Sequence, residues 1–243
     1  MSQTPPSSKK TKKPKETAAN ATIPRAPQRV QGRLRFELLV DTTDRLISER
    51  GAGDLSLYDI AEAAGVPAAS VYHFFPSMAA AVVAVAQRYL QIFEEIIASD
   101  LDHAELVNWR DIFRIIGERA RQFYNGHEVV RRLFLGSEYS WQVRMADIQG
   151  NESYARILAR TYERHFHIAD PDFLCPKIEI AIGLSDSVWS LSCLRHNIIT
   201  DDYAVEAERA YHSYLTRYIA ELAPKRTAPM VSLPSERAAA GNA

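Results

Sequence analysis

An all-α fold, with a compact two-helix motif near the N-terminus, follows from three observations. Residues 56–78 (SLYDIAEAAGVPAASVYHFFPSM) hold two short helical patterns meeting at a turn around Gly65. Every later segment carries apolar residues at helical spacing. No alternating strand pattern of convincing length and no internal repeat appears.

The first helix is expected from about Arg33 to Arg50, with Phe36, Leu39, Val40, Thr43, Leu46 and Ile47 as its inner stripe and Gly51 ending it. Ser56 with Asp59 looks like a cap for the next helix, whose stripe is Leu57, Ile60, Ala61 and Ala64. Gly65 supplies the turn, because glycine takes positive φ cheaply. Pro67 suits the first turn of the following helix, where a missing N–H costs nothing. Val71, Phe74 and Phe75 give that helix an apolar side and leave Ala68, Ala69, Ser70, Tyr72 and His73 largely free. Two short helices about a glycine turn make a helix-turn-helix, whose second helix can enter the DNA major groove.

Pro76-Ser77 starts a long helix to about Ala98, with Ser77 as its cap. Trp109 to Tyr124 is the next, with Asn125-Gly126 as a stop. A short helix spans Glu128 to Leu135, and a longer one runs from about Tyr139 to Phe166 with a possible break near Gly150-Asn151. The stretch His167 to Pro176, with Pro171 and Pro176, is expected to be a loop. Lys177 to Ile199 is strongly apolar, and Asp202 to Leu222 is amphipathic.

The run SLYDIAEAAGVPAASVYHFFPS, preceded by a helix ending RLISERGAG, resembles the TetR family of bacterial transcriptional regulators. The likeness is strong over about 33–93 and diffuse beyond it. It implies a three-helix DNA-binding domain at 33–93 (motif 56–75), a helical ligand-binding and dimerisation domain at 94–223, and a flexible tail at 224–243. Carried over, it places Ala68, Ala69 and Ser70 at the groove. It sends Tyr72 to a phosphate and His73 to phosphate or base. Ser56, at a helix start, could hold another phosphate. Three departures stand out: family members often carry Lys where this chain has Ala68 and Met78, and Tyr or His where it has Phe74. Each change removes a polar or cationic phosphate partner.

Charge is distributed unevenly. Residues 1–33 hold eight basic side chains, Arg29 and Arg33 among them, against Glu16 alone, a net of +7 on a chain whose total is −1. This arm, rich in Pro, Ser, Thr and Lys, is expected to be disordered over 1–32 and to attract a polyanion. Residues 34–78 hold three arginines against seven carboxylates, a net of −4 and a poor footprint for DNA. The arm is therefore expected to supply attraction to the duplex, as homeodomain arms do.

Composition excludes other classes. No run of eighteen apolar residues exists, so a membrane span is not expected. The lysine-rich start is followed by no apolar block, so it does not read as a secretory signal. Cys175 and Cys193 alone give no disulfide framework and fit a reducing cytoplasm. No metal-ligand spacing, phosphate loop or nucleophile motif points to an enzyme, and no cofactor is expected.

The resemblance implies a homodimer through the last two long helices (177–199 and 202–222), which double-stranded DNA with paired half-sites also requires. It further implies an effector pocket. The candidates are Trp109, Phe113, Phe123, Tyr124, Phe134, Tyr139, Trp141, Met145, Asp186 and Trp189, a set suited to a small apolar or aromatic ligand. The alternative is a dimeric interaction protein of the same fold with little operator binding, which the acidic, lysine-poor motif favours.

Overall fold

The computed structural model describes residues 22–136, 140–168 and 170–230. Within these the chain is helical throughout: α1 (Val30–Arg50), α2 (Leu57–Ala63), α3 (Ala68–Phe74), α4 (Met78–Ile97), α5 (Arg110–Gly126), α6 (Glu128–Val130), α7 (Trp141–His165), α8 (Pro171–His196) and α9 (Asp201–Leu215). A π-helical turn, Arg131–Leu135, continues α6. An isolated bridge between Phe166 and Lys225 is the nearest approach to strand structure among the described residues.

Helices α1 to α3 form a small unit around the start of α4. Gly51 ends α1 at φ 78°, and its N–H closes the last turn on Ile47. α4 begins at the Ser77 cap, whose Oγ accepts from the Ala80 N–H at 3.2 Å. Residues 80–86 are all buried, so the first half of α4 is enclosed on every side. Arg88 of α4 reaches back to α1, donating to Asp41 and, at 2.8 Å, to Asp44. The Tyr89 hydroxyl also donates to Asp44, at 2.9 Å.

The second half of α4 packs on α7, and α7, α8 and α9 follow one another in close contact. Gly150 lets α4 and α7 approach: a Cβ there would stand 3.2 Å from the Leu90 side chain. This glycine therefore marks close packing, and α7 runs unbroken through Gly150-Asn151, contrary to the break expected there.

Other boundaries also differ from the sequence-based expectation. α1 starts at Val30, three residues before Arg33. α5 ends at Gly126, within the expected Asn125-Gly126 stop, and the Asn125 side chain bonds both the N–H and the carbonyl of Ile199. The expected loop His167–Pro176 is largely helix. Pro171 opens α8, where no N–H is needed, and Pro176 is accommodated in the second turn. α9 ends at Leu215 and gives way to turns. Residues 224–230 are anchored rather than loose. The N–H groups of Arg226 and Met230 donate to the His165 and Arg164 carbonyls, and that of His167 donates to Pro224. The rest of the expected tail, 231–243, lies outside the described residues, as does the arm over 1–21.

Candidate nucleic-acid interface and effector cavity

The interface is built from short-range chemistry. Ser56 and Asp59 form a full capping box at the start of α2: the Ser56 N–H donates to the Asp59 carboxylate at 2.8 Å, and the Asp59 N–H to Ser56 Oγ at 3.3 Å. The Ser56 hydroxyl also donates to Asp59, and these bonds hold the Asp59 pKa below the usual carboxylate range. Ser56 is thus occupied as a cap beside a carboxylate, a setting unlike the phosphate site expected of it. Gly65 turns the chain at φ 63°, a conformation that side chains with a Cβ resist. Pro67 caps α3 and accepts the Ser70 N–H at 2.8 Å.

α3 is divided sharply between two sides. Val71, Phe74 and the following Phe75 are buried, and Phe36 of α1 packs edge-on against the Phe74 ring at 5.8 Å and tilted against Phe75 at 5.4 Å. Ala69, Tyr72 and His73 are exposed, while Ala68 and Ser70 are half-buried. Tyr72, 42% exposed, is steadied by an edge contact with the exposed Tyr58 at 6.0 Å. α4 leaves α3 through a bend of 62°, so α3 does not merge into the long helix. The outward side of α3 is a short, rigid rod with polar tips.

Sequence reasoning missed one contact here. The Arg25 N–H donates to the Phe74 carbonyl at 2.8 Å, which fastens the segment before α1 to the end of α3. Arg25, Arg29 and Arg33 are exposed, and Arg29 precedes the first turn of α1. The acidic balance of residues 34–78 is also softened in the fold. Asp41 and Asp44 pair with Arg88 on the α4 side, and Asp59 lies 3.7 Å from Arg50.

A second site lies among α4, α5, α7 and α8. These helices leave a cavity of about 60 Å³. Of the ten sequence candidates, Phe113, Tyr124, Asp186 and Trp189 line it. The others stand elsewhere, for identifiable reasons. Trp109 is wholly buried between α5, α7 and α9, against Tyr162 and His212. Phe123 and Phe134 pack behind Phe93, with ring centres 5.0 and 6.3 Å away, and so back the wall rather than form it. Trp141 and Met145 are exposed on the outer side of α7, at 70% and 38%. Tyr139 lies outside the described residues.

The polar end of the cavity was not legible in advance, Asp186 aside. Asn151 Nδ2 reaches the Asp186 carboxylate at 3.4 Å, and Asp147 faces the same space while bonded to Arg144 at 3.2 Å. Burial, with Asp147 nearby, pushes the Asp186 carboxyl up to about 8. Phe113 stacks face to face on Tyr211 of α9, with ring centres 3.5 Å apart, so the cavity wall is tied to the last helix. The π-helical turn ties it to the N-terminal unit: Phe134 supports Phe93, while neighbouring Arg132 donates to the Ile47 carbonyl of α1 at 3.2 Å.

The two thiols are not poised for chemistry. Burial raises Cys175 and carries Cys193 up to about 11. Among the described residues no group of three or more His, Cys, Asp or Glu side chains is placed to hold a metal ion. No single described helix is long and apolar enough to cross a membrane.

This geometry defines a class, an all-helical protein with an N-terminal helix-turn-helix unit. Comparison with known proteins sharpens it. Residues 39–85 match the model of a family described as bacterial regulatory proteins, tetR family. The fold resembles a TetR-family transcriptional regulator from Streptomyces coelicolor, at 20% identity over 76% of this chain and 98% of that one, with a TM-score of 0.58. It also resembles SmeT, the repressor of the Stenotrophomonas maltophilia multidrug efflux pump SmeDEF, at 15% identity over 82% and 97%, TM-score 0.54. A third likeness is to a TetR-family regulator of Haemophilus influenzae RD, at 19% identity over 76% and 98%, TM-score 0.51. No curated protein matches the chain. Residues 39–85 thus match the N-terminal domain of the tetR family, and the chain shares the fold of TetR-family structures.

Proposed function

We propose that the chain is a sequence-specific DNA-binding regulator, a cytoplasmic homodimer that represses from an operator and is released by a small molecule. The observation that carries this is the division of α3, anchored by Val71, Phe74 and Phe75 and leaving Ala69, Tyr72 and His73 free to meet a duplex. Base contacts fall to Ala68, Ala69 and Ser70, and phosphate contacts to Tyr72, His73 and the nearby Arg29 and Arg33. The family's usual sign of control is the reason for assigning repression, and no catalytic role is assigned.

The dimer is supported by α8. Phe173, Ile180, Leu184, Leu191 and Leu194 are 40–61% exposed, an apolar face that water does not favour. Tyr203 and Tyr218 of the α9 region flank it, through Arg195 and Phe173 respectively. Paired α8 helices with these flanks would form the four-helix interface that sets the distance between two α3 helices. An effector in the cavity would favour one such distance, acting through Phe113–Tyr211 toward α9 and Arg132–Ile47 toward α1.

The test is a gel-shift titration with the DNA upstream of the chain's own gene, at several salt concentrations. Retardation that weakens steeply with salt is expected. Deleting residues 1–24, which removes five lysines, is expected to lower both affinity and salt slope, by about 0.9 in slope for each phosphate that is no longer neutralised. A second reading, a dimeric interaction protein of the same fold, draws on the acidic balance of residues 34–78. Retardation independent of sequence, or none, would favour it.

A further inference from the structure

Asp186 is the least explained group in the molecule. It is half-buried among packed helices and lines the cavity. Its hydrogen bond from Asn151, at 3.4 Å, is long and weak. Among the described residues it has no ion pair, and Arg144, the nearest cation to act on it, is engaged by Asp147. Trp189 and Tyr124, both buried, line the same space, so the carboxyl shares its cavity with aromatic rings. The rest of the lining is mostly apolar, from Leu90, Phe93 and Ile97 to Ile116 and Leu158.

Resting on the reading of this cavity as the effector site, we propose that it takes a slender amphiphilic cation, an aryl- or alkylammonium. Its charge sits on the Asp186 carboxylate, and its apolar body lies along Phe93, Phe113 and Tyr124. The choice follows by elimination. An anion would find no cationic side chain in the lining and would lie beside the Asp147 carboxylate in an apolar surround. A neutral apolar ligand would bury the Asp186 carboxyl against carbon, with only its long bond to Asn151. An ammonium gives that carboxyl a charged donor, and Trp189 and Tyr124 add ring faces that attract cations.

The protons balance in a definite way. Asp186 holds its proton near neutrality, so a bound ammonium displaces that proton to water and leaves an ion pair. The groups facing Asp186 are Asp147, Arg144, Asn151 and Tyr154 from α7 and Tyr124 from α5, and Glu94 of α4 lies near Tyr154. None supplies a positive charge that would replace the ligand's, because Arg144 is already bound to Asp147.

The test uses the full chain and two probes of one shape, 2-phenylethylamine and 2-phenylethanol, in calorimetric titrations at about pH 6 and pH 8.5. At the higher pH the amine is expected to bind at least about tenfold more tightly than the alcohol, with the advantage shrinking several-fold at the lower pH. Asp186→Asn is expected to bring the amine to within about threefold of the alcohol. Equal binding of the two probes, no amine binding, or a preference that survives in folded Asp186→Asn would overturn the proposal. Should that variant fail to fold, the wild-type comparison of two probes at two pH values decides alone. Repeating the titrations with the upstream DNA present separates this inference from its foundation. An amine preference with unchanged DNA affinity keeps the cation site and removes the effector role.

Discussion

The α3 region and the α4–α5–α7–α8 cavity use buried aromatic residues in opposite ways. In the first, Phe36, Phe74 and Phe75 close on one another and leave no space, so that the other side of α3 is held rigid. In the second, Phe93, Phe113, Tyr124 and Trp189 stop short of filling the interior, and a carboxyl group is placed at the gap. A recognition element needs full packing behind it, while a sensing element needs room and an unfilled polar demand. The comparison teaches that stability and function are separable at the first site and entangled at the second.

The largest expected effect breaks the first half of that comparison. Phe75→Ala should cost about 3–5 kcal/mol in denaturant unfolding, because Phe75 is fully buried beneath α3. Tyr72→Ala, three residues away and exposed, should change stability by less than about 0.5 kcal/mol while lowering DNA affinity about tenfold or more. Equal stability costs at the two positions would mean that α3 has no free side.

Next in size is the apolar face of α8. Leu184→Asp combined with Leu191→Asp should convert a dimer to a folded monomer in sedimentation, since both residues are exposed in the single chain. Unfolding of that variant, rather than dissociation, would show that these leucines belong to the core.

Asp186 sharpens the second half. Its carboxyl is neutral in the fold up to about pH 8, where in the unfolded chain it ionises near pH 4. The folded state therefore holds the proton more tightly, and stability falls as pH rises between those values. Asp186→Asn should match the parent near pH 4 and exceed it by about 1–3 kcal/mol near pH 8.5, measured by thermal unfolding across pH. A gain of the same size at both ends would show that the carboxyl is not strained by burial.

The opposite sign is expected from His165. Its ring is stacked on His103, Nδ1 to Nδ1 at 2.9 Å, and burial with that neighbour depresses its pKa to about 4. Stability from the neutral ring is complete above pH 6.5 and is lost as pH falls through about 4. His165→Gln should flatten the acid side of the melting-temperature profile. The smallest effect is Ser56→Ala, which removes one capping box and should cost about 1 kcal/mol.

What could be read in advance follows the same division. Ser56 with Asp59, Gly65 and Pro67 act within a few residues of themselves, so the helix-turn-helix was visible in a short stretch of sequence. The cavity is assembled from four helices, with lining residues spread from Leu90 to Trp189, and helical spacing cannot say which aromatic residue fills a core and which borders a gap. Trp109 and Trp141 show this: equally plausible as pocket residues by type, one is fully buried and the other lies on the surface. Asp147 and Asn151 were missed because the stretch around Gly150 looked like a helix break, when the glycine instead admits Leu90. Pro176 misled likewise, since proline marks a boundary only when no packing force holds the helix through it.

The central claim is that the outer side of α3 meets DNA, and Ala69→Glu tests it most directly. Ala69 is exposed in the first turn of α3, where a carboxylate suits the helix dipole and disturbs no packing. Fluorescence anisotropy with labelled upstream DNA should show affinity falling about a hundredfold, with unfolding free energy unchanged within about 0.5 kcal/mol. Wild-type affinity in the folded variant would contradict the account.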